Sequence, residues 1–237
     1  PSGGAKRALY DQVRGLRDIP LYIPAMFVQL LRYNPEFYLT WLILVIFSIC
    51  LHEVSHAYIA MREGDRTAVN NGFLTLNPLK VMGPFSLLFA ALFGFAWGMV
   101  PVDPRRFRSP SSHAIVAAAG PLANLALVLF FVVAFAVLGI FVTPEQFQTS
   151  GISETALFVA GVGIRVNLFL FLFNLLPIPI LDGWEICRLI VPPVRRIPEM
   201  KVRQFGLIAL LVILFAGLHQ YIWDAADVIA SFLMRIA

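Results

Sequence analysis

Residues 37–61 read FYLTWLILVIFSICLHEVSHAYIAM, an apolar run that carries His52, Glu53 and His56 near its C-terminal end. A helix over this run is long enough to cross the hydrocarbon core of a bilayer, which is about 30 Å thick. Ionisable side chains are costly in that setting and indicate a functional site by default. The run therefore predicts a membrane-spanning helix with chemistry on one of its faces.

The five residues 52–56, HEVSH, have the H-E-x-x-H spacing. Residues four apart lie on one face of a helix, so His52 and His56 can each offer a ring nitrogen to one zinc ion. Glu53 would then lie beside them as a general base. The competing interpretation is a helix end among lipid headgroups, where these side chains cost little. Residues 57–61 continue the apolar run, which favours the metal site.

The composition of the whole chain agrees with a membrane protein. Of its 237 residues 59% are hydrophobic and 14% are charged, and the mean hydropathy is +0.80. Soluble domains are about 25% charged, so neither a soluble domain nor a disordered chain fits. The net charge of +4 comes from basic residues between apolar runs, where they would meet lipid headgroups. We expect the bilayer as a partner and no nucleic acid.

The apolar runs predict an all-α polytopic membrane protein with about five spanning helices, over about 37–61, 83–100, 112–142, 156–174 and 204–218. Asn71-Gly72 lies between two short apolar segments and predicts a small membrane-associated β hairpin. Prolines and a glycine break the fourth run near Pro177–Gly183. A broken helix at membrane depth is tolerated where it is buried in protein or lines a wet cavity, so we expect a cavity there.

A catalytic zinc site usually has three protein ligands and an open position. Asp182 is the leading candidate for the third ligand, because the break before it lets a carboxylate leave the helix and face the bundle. Asp182 could instead cap the helix that follows, since aspartate is a good N-cap residue. Glu185 is the rival ligand.

Several motifs occur together in one order along residues 40–190. They are the H-E-x-x-H run, REGD at 62–65, LTLNPL at 74–79, PVDPRRFR at 101–108, GPLAN at 120–124 and N-x-x-P-x-P-x-L-D-G at 174–183. Together they resemble the site-2 protease family of intramembrane zinc metalloproteases, peptidase M50. The resemblance implies His52, His56 and Asp182 as zinc ligands and Glu53 as the catalytic base.

The resemblance also implies an activity, the hydrolysis of peptide bonds within or near transmembrane helices of membrane-protein substrates. Zinc would polarise the scissile carbonyl, and Glu53 would move the proton. The resemblance implies that Asn124 hydrogen-bonds the substrate backbone, although Asn124 could instead bond between helices. We expect Asn174 to bind the substrate or to shape the site. The alternative function is a membrane transporter or metal-binding carrier that uses the same histidines and aspartate. A carrier does not depend on a carboxylate that is not a ligand.

The organisation that follows has three parts. Residues 1–36 form a polar and interfacial segment, 37–190 a catalytic membrane core, and 191–237 a basic loop with a C-terminal membrane helix. We expect substrate selection to use the core, residues 1–36, or a separate regulatory or gating partner. The orientation stays open: the distribution of Lys and Arg places the N-terminus in the cytosol with zinc towards the opposite face, whereas the resemblance implies zinc opening towards the cytosol. No pattern indicates an oligomeric state.

Overall fold

The computed structural model describes residues 24–141, 151–191, 193–194, 197 and 199–237, and this part of the chain is all helical, with no β-strand. The predictions for residues 1–23, and part of those for the basic loop, lie outside the described residues. Short 3-10 turns lie at Pro24–Gln29 and Pro104–Arg106. The α-helices are α1 (Leu30–Tyr33), α2 (Pro35–Arg62), α3 (Thr67–Asn70), α4 (Pro78–Val81), α5 (Gly83–Phe93), α6 (Ser112–Phe141), α7 (Gly151–Asn174), α8 (Asp182–Ile190), α9 (Glu199–Phe215) and α10 (His219–Ile236).

Three described helices are long and apolar enough to cross a membrane: Pro35–Arg62, Ser112–Ile140 and Thr155–Asn174. The prediction of about five spans is therefore not supported. The second predicted span is interrupted at Gly94, whose φ of 74° ends α5 after 11 residues, or about 16 Å. The predicted last span falls in α9, which Gly217 separates from α10 at a φ of 73°.

The predicted β hairpin at Asn71-Gly72 is wrong, because the preceding residues form the short helix α3. Asp65, just before it, accepts at Oδ1 from the backbone N–H of Thr67, the first residue of α3, at 2.9 Å. Gly72 has a φ of 73°, and paired bonds from Gly72 N to the Val69 carbonyl and from Phe73 N to the Ala68 carbonyl close its C-terminus. That pair of bonds is a Schellman motif, so the glycine ends a helix here and does not turn a hairpin.

The bundle is built on α2, α6 and α7, which pack against one another; α8 packs on α6 and α10 on α7. Asn34 caps α2 by accepting from the backbone N–H of Phe37 at 3.0 Å, and Pro35 occupies the first turn, where its missing N–H costs nothing. Apolar side chains from α2, α6, α7 and α10 form one continuous core.

The end of α5 and the segment that follows it are held by side-chain hydrogen bonds from α2 and from α5 itself. The Tyr38 hydroxyl donates to the Ala91 carbonyl at 2.9 Å, and the Trp41 indole donates to the Gly94 carbonyl at 3.1 Å. The Ser86 hydroxyl also bonds both the N–H and the carbonyl of Trp97. These contacts hold the non-helical stretch from Gly94 onward beside the helix that carries the histidines.

A buried ion pair joins α7 to α10. Arg165 Nε donates to Asp227 Oδ1 at 2.7 Å, and the two residues are 3% and 8% exposed. An unpaired charge at this depth would be strongly destabilising, so the pair explains how α7 tolerates an arginine.

Candidate metal centre

His52 and His56 lie one turn apart on α2, and their side chains face α6. Their Nε2 atoms are 3.0 Å apart. His56 Nδ1 contacts the Val116 carbonyl at 2.7 Å, and His52 Nδ1 contacts Asn124 Oδ1 at the same distance. A carbonyl only accepts, so Nδ1 of His56 is the donor. Helix periodicity and two α6 acceptors thus turn both Nε2 atoms towards a common point.

Asp182 reaches that point through the break predicted between α7 and α8. Its Oδ2 lies 3.1 Å from His52 Nε2, and its Oδ1 lies 3.4 Å from His56 Nε2. Gly183 packs so closely that a Cβ there would overlap the Leu175 carbonyl. Ile180 adopts a φ of 81°, a region that β-branched residues rarely enter. The break is therefore a tight turn that delivers the carboxylate to the two imidazoles.

The chemistry of these three side chains fits a bound cation. With Nδ1 donating, each neutral imidazole presents the Nε2 lone pair, and two lone pairs 3.0 Å apart repel each other. Asp182 Oδ2 is buried and has no hydrogen-bond partner, although it lies 3.1 Å from His52 Nε2. A positive ion between these atoms would satisfy all of them.

The distances suit zinc in particular. Ligand atoms about 2.0–2.1 Å from a tetrahedral zinc ion lie about 3.3 Å from one another. The contacts among the three residues are 3.0, 3.1 and 3.4 Å. Among the described residues, His52, His56 and Asp182 form the group of His, Cys, Asp or Glu side chains able to hold a metal.

Gly120 leaves space for the ligand atoms of this centre because it has no side chain. A Cβ at Gly120 on α6 would overlap the Nε2 atoms of His52 and His56. Pro121 follows within the helix and lacks a backbone donor. A side chain at position 120 would occupy the space in which the ligand atoms converge.

Glu53 lies on the same helix as the histidines and outside the group of three. The backbone at Gly98 lies against it, so that a Cβ there would be 2.7 Å from both Cδ and Oε1. The stretch after α5 thereby limits where the Glu53 carboxylate can point. This placement fits a base beside the metal ligands.

Asn124 and Asn167 form a hydrogen-bonded chain behind His52. Asn124 Nδ2 donates to Asn167 Oδ1 at 3.0 Å, and Asn167 Nδ2 donates to the Gly163 carbonyl at 2.9 Å. Both asparagines are fully buried. Both ends of the Asn124 amide thus bond to protein groups. Substrate binding by Asn124 stays a prediction. Sequence reasoning missed Asn167; an amide in the middle of an apolar run was the available signal.

Asn174 and Glu185 lie on either side of the break. The Asn174 amide donates to the Leu170 carbonyl of its own helix at 2.9 Å, so its predicted substrate contact also stays a prediction. Glu185, the rival ligand, forms an ion pair with Arg188 at 3.1 Å and lies 3.9 Å from His113 Nδ1. Glu185 is absent from the group that surrounds the two histidines.

The chain is similar to known metalloproteases. The profile of peptidase family M50 matches residues 136–217, which include Asp182. YwhC from Bacillus subtilis (strain 168), by its name a proposed zinc metalloprotease, is 36% identical over 199 residues, 80% of this chain and 87% of its own. Rip2 from Mycobacterium tuberculosis (strain H37Rv), similarly named, is 31% identical over 182 residues, 74% of this chain and 65% of its own. No solved structure matches the chain.

An apolar helical bundle with a His-His-Asp group and an adjacent glutamate fits the zinc metalloproteases to which the chain is similar. The chain belongs to peptidase family M50, the site-2 protease family. Zinc is accordingly its cofactor.

Proposed function

We propose that this protein is an intramembrane endopeptidase that hydrolyses peptide bonds within or near transmembrane helices of other membrane proteins. The observation that carries the proposal is the position of the histidines and of Glu53 on α2, one of the three helices able to span a bilayer. A site on such a helix is reached most directly by a substrate that is itself in the membrane. The protein is then multi-pass, with α2, α6 and α7 crossing the bilayer.

Each residue of the centre has a chemical role in this proposal. His52, His56 and Asp182 would hold the zinc ion, and the Nε2 atoms of both imidazoles converge on its site. Zinc supplies a Lewis acid that polarises the scissile carbonyl and makes water more acidic. Glu53 accepts a proton from the attacking water at its carboxylate and passes it to the nitrogen of the departing amine. Gly98 keeps that carboxylate in place.

Asn174 is the better placed of the two asparagines for contacting a substrate. It lies at the last residue of α7, next to the break that leads to Asp182. Its amide group donates to Leu170, which leaves the carbonyl oxygen of the side chain as an acceptor for a substrate backbone N–H. An unwound substrate segment offers such donors, because hydrolysis requires the helix to open locally.

The test is cleavage of a single-span reporter in liposomes that contain the purified protein. Wild type is expected to cut the reporter within or beside its apolar segment, with the position read by mass spectrometry. Glu53→Gln is expected to abolish cleavage and to keep about one zinc per chain. His56→Ala and Asp182→Ala are expected to lose both zinc and cleavage. Met99→Ala, a truncation at a 71% exposed position, serves as the control.

Other results would overturn the proposal. Cleavage only of soluble peptides, with the liposome reporter intact, would leave a zinc protease without intramembrane action. Zinc-dependent flux across the liposome membrane that survives Glu53→Gln, with no cleavage, would favour the carrier. Zinc retained after Asp182→Ala would move the third ligand elsewhere.

A further inference from the structure

A chain of buried amides lies behind His52, next to the metal centre. It runs from His52 Nδ1 through Asn124 to Asn167 and ends at the Gly163 carbonyl, with distances of 2.7, 3.0 and 2.9 Å. It crosses from α2 through α6 to α7. Both asparagines are fully buried, so water does not compete for their hydrogen bonds.

The direction of this chain is set at its far end. The Gly163 carbonyl can only accept a hydrogen bond, so the NH2 group of Asn167 must face it. The Asn167 carbonyl oxygen then faces Asn124, whose NH2 group must turn towards it. The carbonyl oxygen of Asn124 is therefore presented to His52 Nδ1, which has to carry the proton.

We propose that Asn167 is a positioning residue for zinc: it orients the Asn124 amide, which holds His52 in the tautomer whose Nε2 lone pair faces the metal. The inference rests on the proposed role of His52 as a ligand. If the Asn124 amide were reversed, its NH2 group would face Nδ1, and the proton of His52 would move to Nε2. A protonated Nε2 cannot bind a metal.

His56 does not need such a chain, because its Nδ1 contacts a backbone carbonyl directly at 2.7 Å. The two ligands thus reach the same tautomer by different means. An amide can be reversed, whereas a backbone carbonyl cannot, so the His52 side requires a residue that fixes the amide. Asn167 is the residue in contact with Asn124 that does so.

The test compares zinc affinity, by competition with a chelating dye in detergent, for Asn167→Leu in two backgrounds. Asn167→Leu removes the orienting group while keeping a similar volume, and we expect zinc binding to weaken about 10–100-fold. Asn124→Asp supplies two equivalent acceptor oxygens, which need no orientation. The double variant Asn124→Asp with Asn167→Leu is therefore expected to return to within a few fold of wild type.

A cobalt-substituted sample adds a readout that folding alone would not change. The visible absorption of bound Co²⁺ should be weak or altered in Asn167→Leu and restored in the double variant. Ser48 on α2 is, like Asn167, a fully buried polar residue, and Ser48→Ala should bind zinc as wild type does. The melting temperatures of the zinc-free variants identify any that are misfolded.

Two results would overturn the inference. Wild-type zinc affinity in Asn167→Leu would mean that Asn124 holds its direction unaided. Equal weakening by Asn167→Leu in both backgrounds would assign Asn167 a packing role. Failure of the metal centre itself looks different: wild type would bind zinc no better than His56→Ala, whatever residue occupies position 167.

Discussion

Gly98 lies directly against the side chain of Glu53, with a backbone so close that a Cβ would be 2.7 Å from the carboxylate carbon. The two residues come from different elements, the helix α2 and the non-helical stretch after α5. Trp41 on α2 and Ser86 on α5 hydrogen-bond to that stretch, at Gly94 and at Trp97. The orientation of the proposed base thus depends on a residue without a side chain.

Gly98→Ala should therefore impair cleavage without removing zinc. The added methyl group must displace Glu53, and a misplacement of about 1 Å can lower a rate about 100-fold. Reporter cleavage and zinc content, measured on the same samples, check this. Met99→Ala, at the adjacent exposed position, should cleave normally. Full activity in Gly98→Ala would mean that the geometry of Glu53 is not critical.

Gly120→Ala, in contrast to Gly98→Ala, should lose zinc as well as cleavage. Its Cβ would enter the space shared by the Nε2 atoms of His52 and His56. Zinc content by mass spectrometry should fall towards that of His56→Ala, and cleavage should fall with it. The matched control is Leu122→Ala, on the same helix with a side chain that is 58% exposed. Normal zinc content in Gly120→Ala would contradict the position assigned to the metal.

Removing zinc with a chelator should lower the melting temperature of the protein in detergent. A ligand that binds only the folded state at 100 times its dissociation constant contributes about 2.7 kcal/mol. Added zinc should reverse the shift, and magnesium should not, because imidazole ligands favour zinc. His56→Ala should show no shift with chelator. An equal shift in that variant would mean that the chelator acts elsewhere.

The ion pair between Arg165 and Asp227 gives a prediction about stability alone. Arg165→Met leaves a buried carboxylate without its guanidinium, which typically costs about 3–5 kcal/mol in the free energy of unfolding. Adding Asp227→Leu should recover much of that loss, because an apolar pair of similar volume needs no solvation. Unfolding in detergent measures both. The exposed pair of Arg105 with Asp103 is the control, and Arg105→Ala should change stability little.

The grouping of His52, His56 and Asp182 could be predicted from sequence because two simple rules bring these residues together. Helix periodicity places His52 and His56 on one face, and the prolines before Asp182 allow its carboxylate to leave the helix. The hairpin prediction was wrong because Asp65 bonds the first residue of a short helix that Gly72 ends. The residues between them do not reveal this helix. The prediction of a second span was wrong because α5 ends at Gly94. The apolar run continues past Gly94, so hydrophobicity alone does not show the end of the helix.

Asn167 shows the limit of such reasoning more clearly. Its residue type and its apolar surroundings are visible in the sequence, whereas its partner Asn124 is 43 positions away on another helix. The direction of the hydrogen bonds depends on the backbone carbonyl of Gly163. Every residue of a helix has such a carbonyl, so no sequence pattern identifies this one. Such a role follows only once α6 and α7 are packed together.

The origin of the ligands in two distant stretches of chain has a consequence for synthesis. The histidines are synthesised early, on α2, whereas Asp182 follows only after α6 and α7 have been made. A nascent chain therefore holds an incomplete set of ligands while it emerges from the ribosome. With the proposed ligands, zinc-dependent hydrolysis would begin only when most of the bundle has been made.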